Sequence, residues 1–310
     1  MSEKLEKLAF ANHGKRLKQS GFNNITIIGG GIMGRGLTQL IAGKGLEVIF
    51  IEHTEELALL AKEKLSHEMD LEIQRWGLTE SEKRGILARV NFTSNIEEVE
   101  KADLVIEAIP ESLEKKQSLF KKLDEICHES TVFCTNTSSL SITEIANVTR
   151  ANRQERILGL HFLQPVVSKP IVEIIRALKT SDKTFEDVQK FTSKLSKTAV
   201  EVYEYPGYIT TRVILPMLNE AMYTLMEGIA TADGIDTAMK LGFNMGHGPL
   251  TLADEIGLDE VLFWMESLFK ELGDLKYRPC PILKKKVRAG HLGKKVGIGF
   301  FKYNDNGSKI

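Results

Sequence analysis

The stretch from Ile25 to Glu52 constrains this chain most. An apolar run, ITII, leads into Gly29-Gly30-Gly31-Ile32-Met33-Gly34, and a second apolar run, EVIFIE, closes on Glu52. G-x-G-x-x-G is a weak pattern by itself. After a strand and opening a helix, it is the turn of a dinucleotide-binding βαβ unit. Gly29 permits the tight turn, Gly31 lets a pyrophosphate approach the backbone, and Gly34 lets the helix pack closely on the strand. The helix beginning at Ile32 and Met33 offers N–H donors and a partial positive charge to the phosphates. Glu52 stands twenty-three positions after Gly29. A carboxylate there accepts hydrogen bonds from ribose hydroxyls and repels a 2′-phosphate, and His53-Thr54 bring no compensating arginine. NAD is therefore expected over NADP. The alternative is a glycine-rich structural turn with a solvated acid.

Alternation continues beyond this unit. Strands are expected at 104–109, 131–134, 157–162, 171–176 and 199–204. Helices are expected at about 32–43, 55–76, 79–87, 112–126 and 182–197. Strands alternating with helices imply βαβ units and a mostly parallel, doubly wound sheet. After Tyr205-Pro206-Gly207 the strand signal stops, and 209–228, 233–241, 250–272 and 279–289 carry helical spacing, with Pro216 expected to kink the first. The expected organisation is an N-terminal arm over 1–21, a Rossmann-like α/β domain over 22–206 and a smaller all-α domain over 207–310.

A histidine and an acid stand out next. His161 ends one apolar strand, and Glu173 interrupts the apolar run IVEII, where a carboxylate is costly unless paired. If 162–172 return as a hairpin, Val167 is its midpoint and residues 161 and 173 face each other. Such a pair fixes the imidazole tautomer and stabilises the imidazolium after proton uptake, as a general base requires. For His161 alone, a satisfied core histidine is the competing reading. Thr135-Asn136-Thr137-Ser138-Ser139 follows another strand, where a doubly wound sheet binds its ligands. Its hydroxyls and amide suit a carbonyl or a nicotinamide, or else cap the helix starting near Ser141.

Forty-one basic and forty-two acidic side chains leave a net charge of −1, which argues against a general nucleic-acid binder. No run approaches the ~20 apolar residues that span a bilayer. The N-terminus lacks a signal-peptide core, and the three sparse cysteines, Cys127, Cys134 and Cys280, read as reduced thiols. A cytoplasmic protein without a metal site is expected. Lys284, Lys285, Lys286, Arg288, Lys294 and Lys295 read as a solvated face, with a phosphate or partner contact as the alternative.

From residue 24 to 303 the chain resembles the 3-hydroxyacyl-CoA dehydrogenases, the short bacterial 3-hydroxybutyryl-CoA dehydrogenases in particular. IIGGGIMGRGLTQLIA, ADLVIEAIPESLEKKQSLF, TNTSSLSITEIA, GLHFLQPV, PIVEII, PGYITTR, IDTAMKLG, GPLTLAD, KYRPCP and GHLGKKVGIGFF carry the resemblance. It implies an NAD-binding Rossmann-like domain, a helical domain that makes a homodimer, an acyl-CoA substrate, and reversible oxidation of an L-3-hydroxyacyl-CoA, as in fatty acid β-oxidation. It further implies His161 as catalytic base, Glu173 as its orienting acid and Ser138 as the contact to the substrate's 3-oxygen. Glu111, Lys116 and Asn136 match cofactor-contacting positions. Arg75 is a candidate contact for the CoA phosphates.

Two departures from the family's motifs stand in the site. H-F-F-N-P reads His161-Phe162-Leu163-Gln164-Pro165, and P-G-F-x-x-N-R reads Pro206-Gly207-Tyr208-Ile209-Thr210-Thr211-Arg212. Gln164 moves an amide out by one methylene, and Thr211 exchanges an amide for a hydroxyl, so rate or substrate can shift. A dehydrogenase of a 3-hydroxy acid that is not a CoA thioester is the second reading, and a non-catalytic NAD-binding scaffold the third.

Overall fold

The computed structural model describes residues 21–304 and 307–310. The expected arm over 1–21 lies, Gly21 apart, outside them. Eight strands build one sheet: β1 (Asn24–Ile28), β2 (Glu47–Ile51), β3 (Val90–Thr93), β4 (Leu104–Glu107), β5 (Val132–Thr135), β6 (Ile157–Phe162), β7 (Ile171–Arg176) and β8 (Thr198–Tyr203). Their order is β3-β2-β1-β4-β5-β6-β7-β8, and every neighbouring pair is parallel except β6 with β7. The chain winds outward from β1 on one side and resumes beside it with β4. That reversal opens a crevice at the carboxyl ends of β1 and β4, where open α/β sheets take their ligands.

Helices α1 (Ile32–Gly43), α2 (Glu55–Gln74) and α3 (Glu80–Leu87) cover one face; α4 (Leu113–Ile126) and α5 (Ile142–Ala146) cover the other. Leu37, Ile41, Leu65 and Met69 join Ile25, Ile27, Val48 and Phe50 in the first core. Phe120, Leu123, Ile142 and Ile145 join Val105, Phe133 and Ile157 in the second. The short α6 (Ala151–Gln154) precedes β6, and α7 (Asp182–Lys194) packs on the first face through Phe185, Val188 and Phe191. The remaining helices, α8 (Thr210–Met226), α9 (Ala232–Phe243), α10 (Pro249–Ile256), α11 (Leu258–Leu272) and α12 (Pro281–Arg288), enclose a third core around Leu215, Met222, Leu250, Val261, Met265 and Leu268.

Three details differ from the expectation. β3 was absent from it, because VNFT is four residues long and buries only Thr93 fully, so its apolar signal is brief. The single helix expected over 250–272 divides at Gly257, whose φ of 106° no helical residue adopts. Apolar spacing is helical on both sides of that glycine, which hides the break. The strand expected to reach Ile109 ends at Glu107. Pro216, expected to kink its helix, stands inside α8.

Among the described residues, no helix is long and apolar enough to cross a membrane, and no cluster of three or more His, Cys, Asp or Glu is placed to hold a metal. The three cysteines are free and buried.

Candidate active site

The glycine turn sits at the mouth of the crevice. Gly29 has φ 112°, and a Cβ there would come 2.6 Å from the Ala108 carbonyl oxygen. A Cβ on Gly34 would come 1.8 Å from the Gly29 carbonyl oxygen, so α1 packs on the turn only because Gly34 has no side chain. A Cβ on Gly31 would meet nothing within 4 Å. That open space, at the N-cap of a helix with no side-chain cap and no acid in its first turn, is a cradle for an anion. The Glu52 carboxylate stands beside the turn, accepting from the Gly30 and His53 backbone N–H groups.

Behind the second wall lies a buried charge chain. Glu107, at the end of β4, is fully buried and accepts from Lys116 Nζ at 2.6 Å, the Thr135 hydroxyl at 2.6 Å and the Ile109 N–H at 2.7 Å. Lys116 Nζ also lies 3.5 Å from Glu111. Glu111 in turn accepts from the Thr137 hydroxyl, the Ser138 N–H at 3.1 Å and the Ser139 N–H at 3.2 Å. The loop after β5 is thereby clamped with Ser138 on the cavity wall. Thr137 also caps this loop, its hydroxyl accepting from the Leu140 N–H at 3.0 Å. Asn136 spends its amide oxygen on the Phe162 N–H, at 3.4 Å.

Beside them, β6 and β7 pair antiparallel with His161 directly opposite Glu173. His161 Nδ1 lies 2.6 Å from Glu173 Oε2, and both side chains are buried. Glu173 accepts three further bonds, from the Ile209 N–H at 3.1 Å, the Thr210 N–H at 2.8 Å and the Thr210 hydroxyl at 3.0 Å. Burial works to raise this carboxyl, but the bond and charge of His161, with the Thr210 donors, hold it below the ordinary carboxylate range. A Glu so held keeps Nδ1 as the imidazole donor and leaves Nε2 as the ring's acceptor. The Tyr208 ring packs 5.5 Å from the imidazole, centroid to centroid.

These groups share one cavity of about 2110 Å³. Gly29, Gly31, Ile32, Met33, Glu52, Glu111, Asn136, Ser138, His161, Gln164 and Thr211 all line it. Val213, Ile214, Leu252, Ile256, Phe263 and Trp264 form its far, apolar wall. Glu173 and Gly34 stand behind the wall in support. The expected cofactor contact Lys116 is fully buried, with its ammonium committed to Glu107. Arg75 caps the C-terminal end of α2, exposed and off the wall. Sequence reasoning missed Glu107, Tyr208 and Thr210. Glu107 carried a signal, a carboxylate inside the apolar run LVIEAI. Thr210 carried none, since its role depends on a contact across 37 positions.

The family model for the NAD binding domain of 3-hydroxyacyl-CoA dehydrogenase matches residues 24–205, and the model for that family's C-terminal domain matches 207–303. A probable 3-hydroxybutyryl-CoA dehydrogenase of Bacillus subtilis is 46% identical, over 92% of this chain and 98% of its own. The 3-hydroxybutyryl-CoA dehydrogenase of Clostridioides difficile is 41% identical, over 90% of this chain and 99% of its own. The crystal structure of (S)-3-hydroxybutyryl-CoA dehydrogenase from Ralstonia eutropha superposes with a TM-score of 0.84 at 38% identity, covering 92% of this chain and all of that one.

Proposed function

The chain belongs to the 3-hydroxyacyl-CoA dehydrogenase family, and on that premise we propose that it oxidises an L-3-hydroxyacyl-CoA such as 3-hydroxybutyryl-CoA, reversibly and with NAD, through His161 and Glu173. The observation that carries this reading is the buried 2.6 Å His161–Glu173 contact on the wall of the cavity that opens at the glycine turn.

NAD, when bound, supplies the hydride acceptor. His161 Nε2 takes the proton of the substrate's 3-hydroxyl, so that the C3 hydrogen leaves as hydride. Glu173 holds the imidazole by Nδ1 and stabilises the cation that forms. Ser138, fixed by Glu111, donates to the 3-oxygen, and Gln164 is the second donor. Asn136 offers its amide N–H groups to the nicotinamide end. Gly31, with the N–H groups of Ile32 and Met33, takes the pyrophosphate, and Glu52 takes the ribose. Lys116 serves the cofactor side by holding Glu107 and Glu111 rather than by touch. Thr211 and the apolar wall from Val213 to Trp264 receive the acyl chain. Excluding water there strengthens each of these polar contacts. A homodimer is part of this reading, formed by the helical half of the molecule.

Steady-state turnover of acetoacetyl-CoA and longer 3-ketoacyl-CoAs with NADH tests the proposal, with free acetoacetate as the control. Turnover confined to the thioesters supports it. Preference for the free acid favours the second reading, motivated by Gln164 and Thr211 where the family's motifs carry asparagine.

A further inference from the structure

Lys197, between α7 and β8, is a buried lysine whose three ammonium donors are all spent on one loop. Nζ donates to the carbonyl oxygens of Val166 at 2.7 Å, Val167 at 2.9 Å and Lys169 at 2.6 Å. An ammonium has three donors and no more. Among the described residues its partners include no carboxylate, and burial, then the neighbouring Lys44 charge, push it below the ordinary lysine value. A buried cation held only by carbonyls is costly, so a merely structural fastening has cheaper solutions.

The loop it holds is the connection from β6 to β7. One end follows His161 by two residues, and the other precedes Glu173. Leu163, Gln164, Pro165 and Lys169 from this loop line the cavity. The loop's opposite side rests on the dinucleotide helix, where a Cβ on Gly36 would come 3.2 Å from Val166. At its far end the Thr198 N–H reaches the Pro170 carbonyl at 2.7 Å, where β7–β8 pairing begins. Between that point and β6, the three carbonyls have Lys197 in place of a neighbouring strand. Gln164 itself makes no side-chain bond to the protein among the described residues, so the loop backbone decides where its amide sits.

We propose that Lys197 is a positioning residue for the reaction: by gathering the carbonyls of Val166, Val167 and Lys169 it sets where Gln164 meets the substrate's 3-oxygen. The inference rests on the reading of the site given above and adds to it how the loop donor is aimed. A donor misplaced by an ångström loses most of its effect on the transition state.

A double-mutant cycle of Lys197→Met and Gln164→Ala tests this, measured as kcat and KM for acetoacetyl-CoA reduction and as NADH binding by fluorescence. Lys197→Met should lower kcat ~10–100-fold with NADH affinity within about twofold, and should add less than about threefold in the Gln164→Ala background. Independent, multiplying losses overturn the inference, as does wild-type kcat in Lys197→Met. If Gln164→Ala itself turns over normally, the role assigned to Gln164 falls and the inference with it. His161→Gln separates the failures. An inactive His161→Gln beside an unimpaired Lys197→Met refutes Lys197 alone, while an active His161→Gln refutes the reading of the site. Should Lys197→Met not fold, Lys197→Arg goes through the same cycle, since it keeps the charge and loses the three-donor geometry.

Discussion

His161 meets Glu173 through Nδ1 and lines the cavity with its ring, and the proposed chemistry rests on that division. Replacing Glu173 by Gln keeps the shape and removes the charge that stabilises the imidazolium. We expect kcat to fall ~100-fold or more, the scale of general-base contributions, with KM for NAD little changed; steady-state kinetics checks it. The same substitution has a pH signature in stability. Glu173 is held below its ordinary value, so its stabilisation is present above the unfolded carboxyl's pKa of about 4.3 and fades as pH falls through the lower folded value. The Tm gap between wild type and Glu173→Gln should therefore hold at neutral pH and narrow in acid. On the proposed reading Glu52 sets the cofactor choice, so kcat/KM should favour NAD over NADP; equal values would remove it from that role. The pairing of residues 161 and 173 was legible because a carboxylate inside an apolar run demands a partner, and hairpin symmetry about Val167 names it. The donors from Ile209 and Thr210 were not, because they arrive from a different element.

At the scale of elements, the glycine turn separates packing from binding. Ala at Gly34 collides with the Gly29 carbonyl. Its expected cost is ~1–3 kcal/mol of stability, together with weaker NADH binding. Ala at Gly31 enters open space at an ordinary φ of −66°. Thermal melting should leave Gly31→Ala near wild type while NADH titration shows weakened binding. A Gly31→Ala protein that binds NADH normally would move the pyrophosphate elsewhere. Strand–helix alternation announced this turn, since hydrophobic period and glycine spacing are local properties. What stayed hidden was equally physical. β3 is short and half-buried, and Gly257 breaks a helix by a backbone angle that leaves the apolar spacing intact on either side.

At the scale of the whole molecule, the apolar residues of the helical half divide between core, cavity and surface. Met217, Met222, Leu225, Phe263, Trp264, Leu268 and Phe269 are more apolar side chains than a small helical domain readily hides alone, so the sequence predicts that part of the set is domain core and the rest an interface. Met222 and Leu268 are core, Met217, Leu225, Trp264 and Phe269 pack against it, and Phe263 lines the cavity. Periodicity shows which residues share a face, but not which face meets another helix. The surface instead exposes Met226, Ile229, Leu241 and Phe243, the last two at 81% and 74%. Such residues favour a covering partner, and a second copy is the simplest symmetric one. Sedimentation at micromolar concentration should give a dimer, and Phe243→Glu should weaken it if α9 lies in the interface. A wild-type monomer would contradict the homodimer.

The most direct measurement of the proposed chemistry is made on His161→Gln. With 3-hydroxybutyryl-CoA and NAD, kcat should drop at least ~100-fold while NADH titrated by fluorescence binds as in wild type. Turnover close to wild type would show that the proton leaves by another group, and His161 would be a core histidine paired with a buried acid.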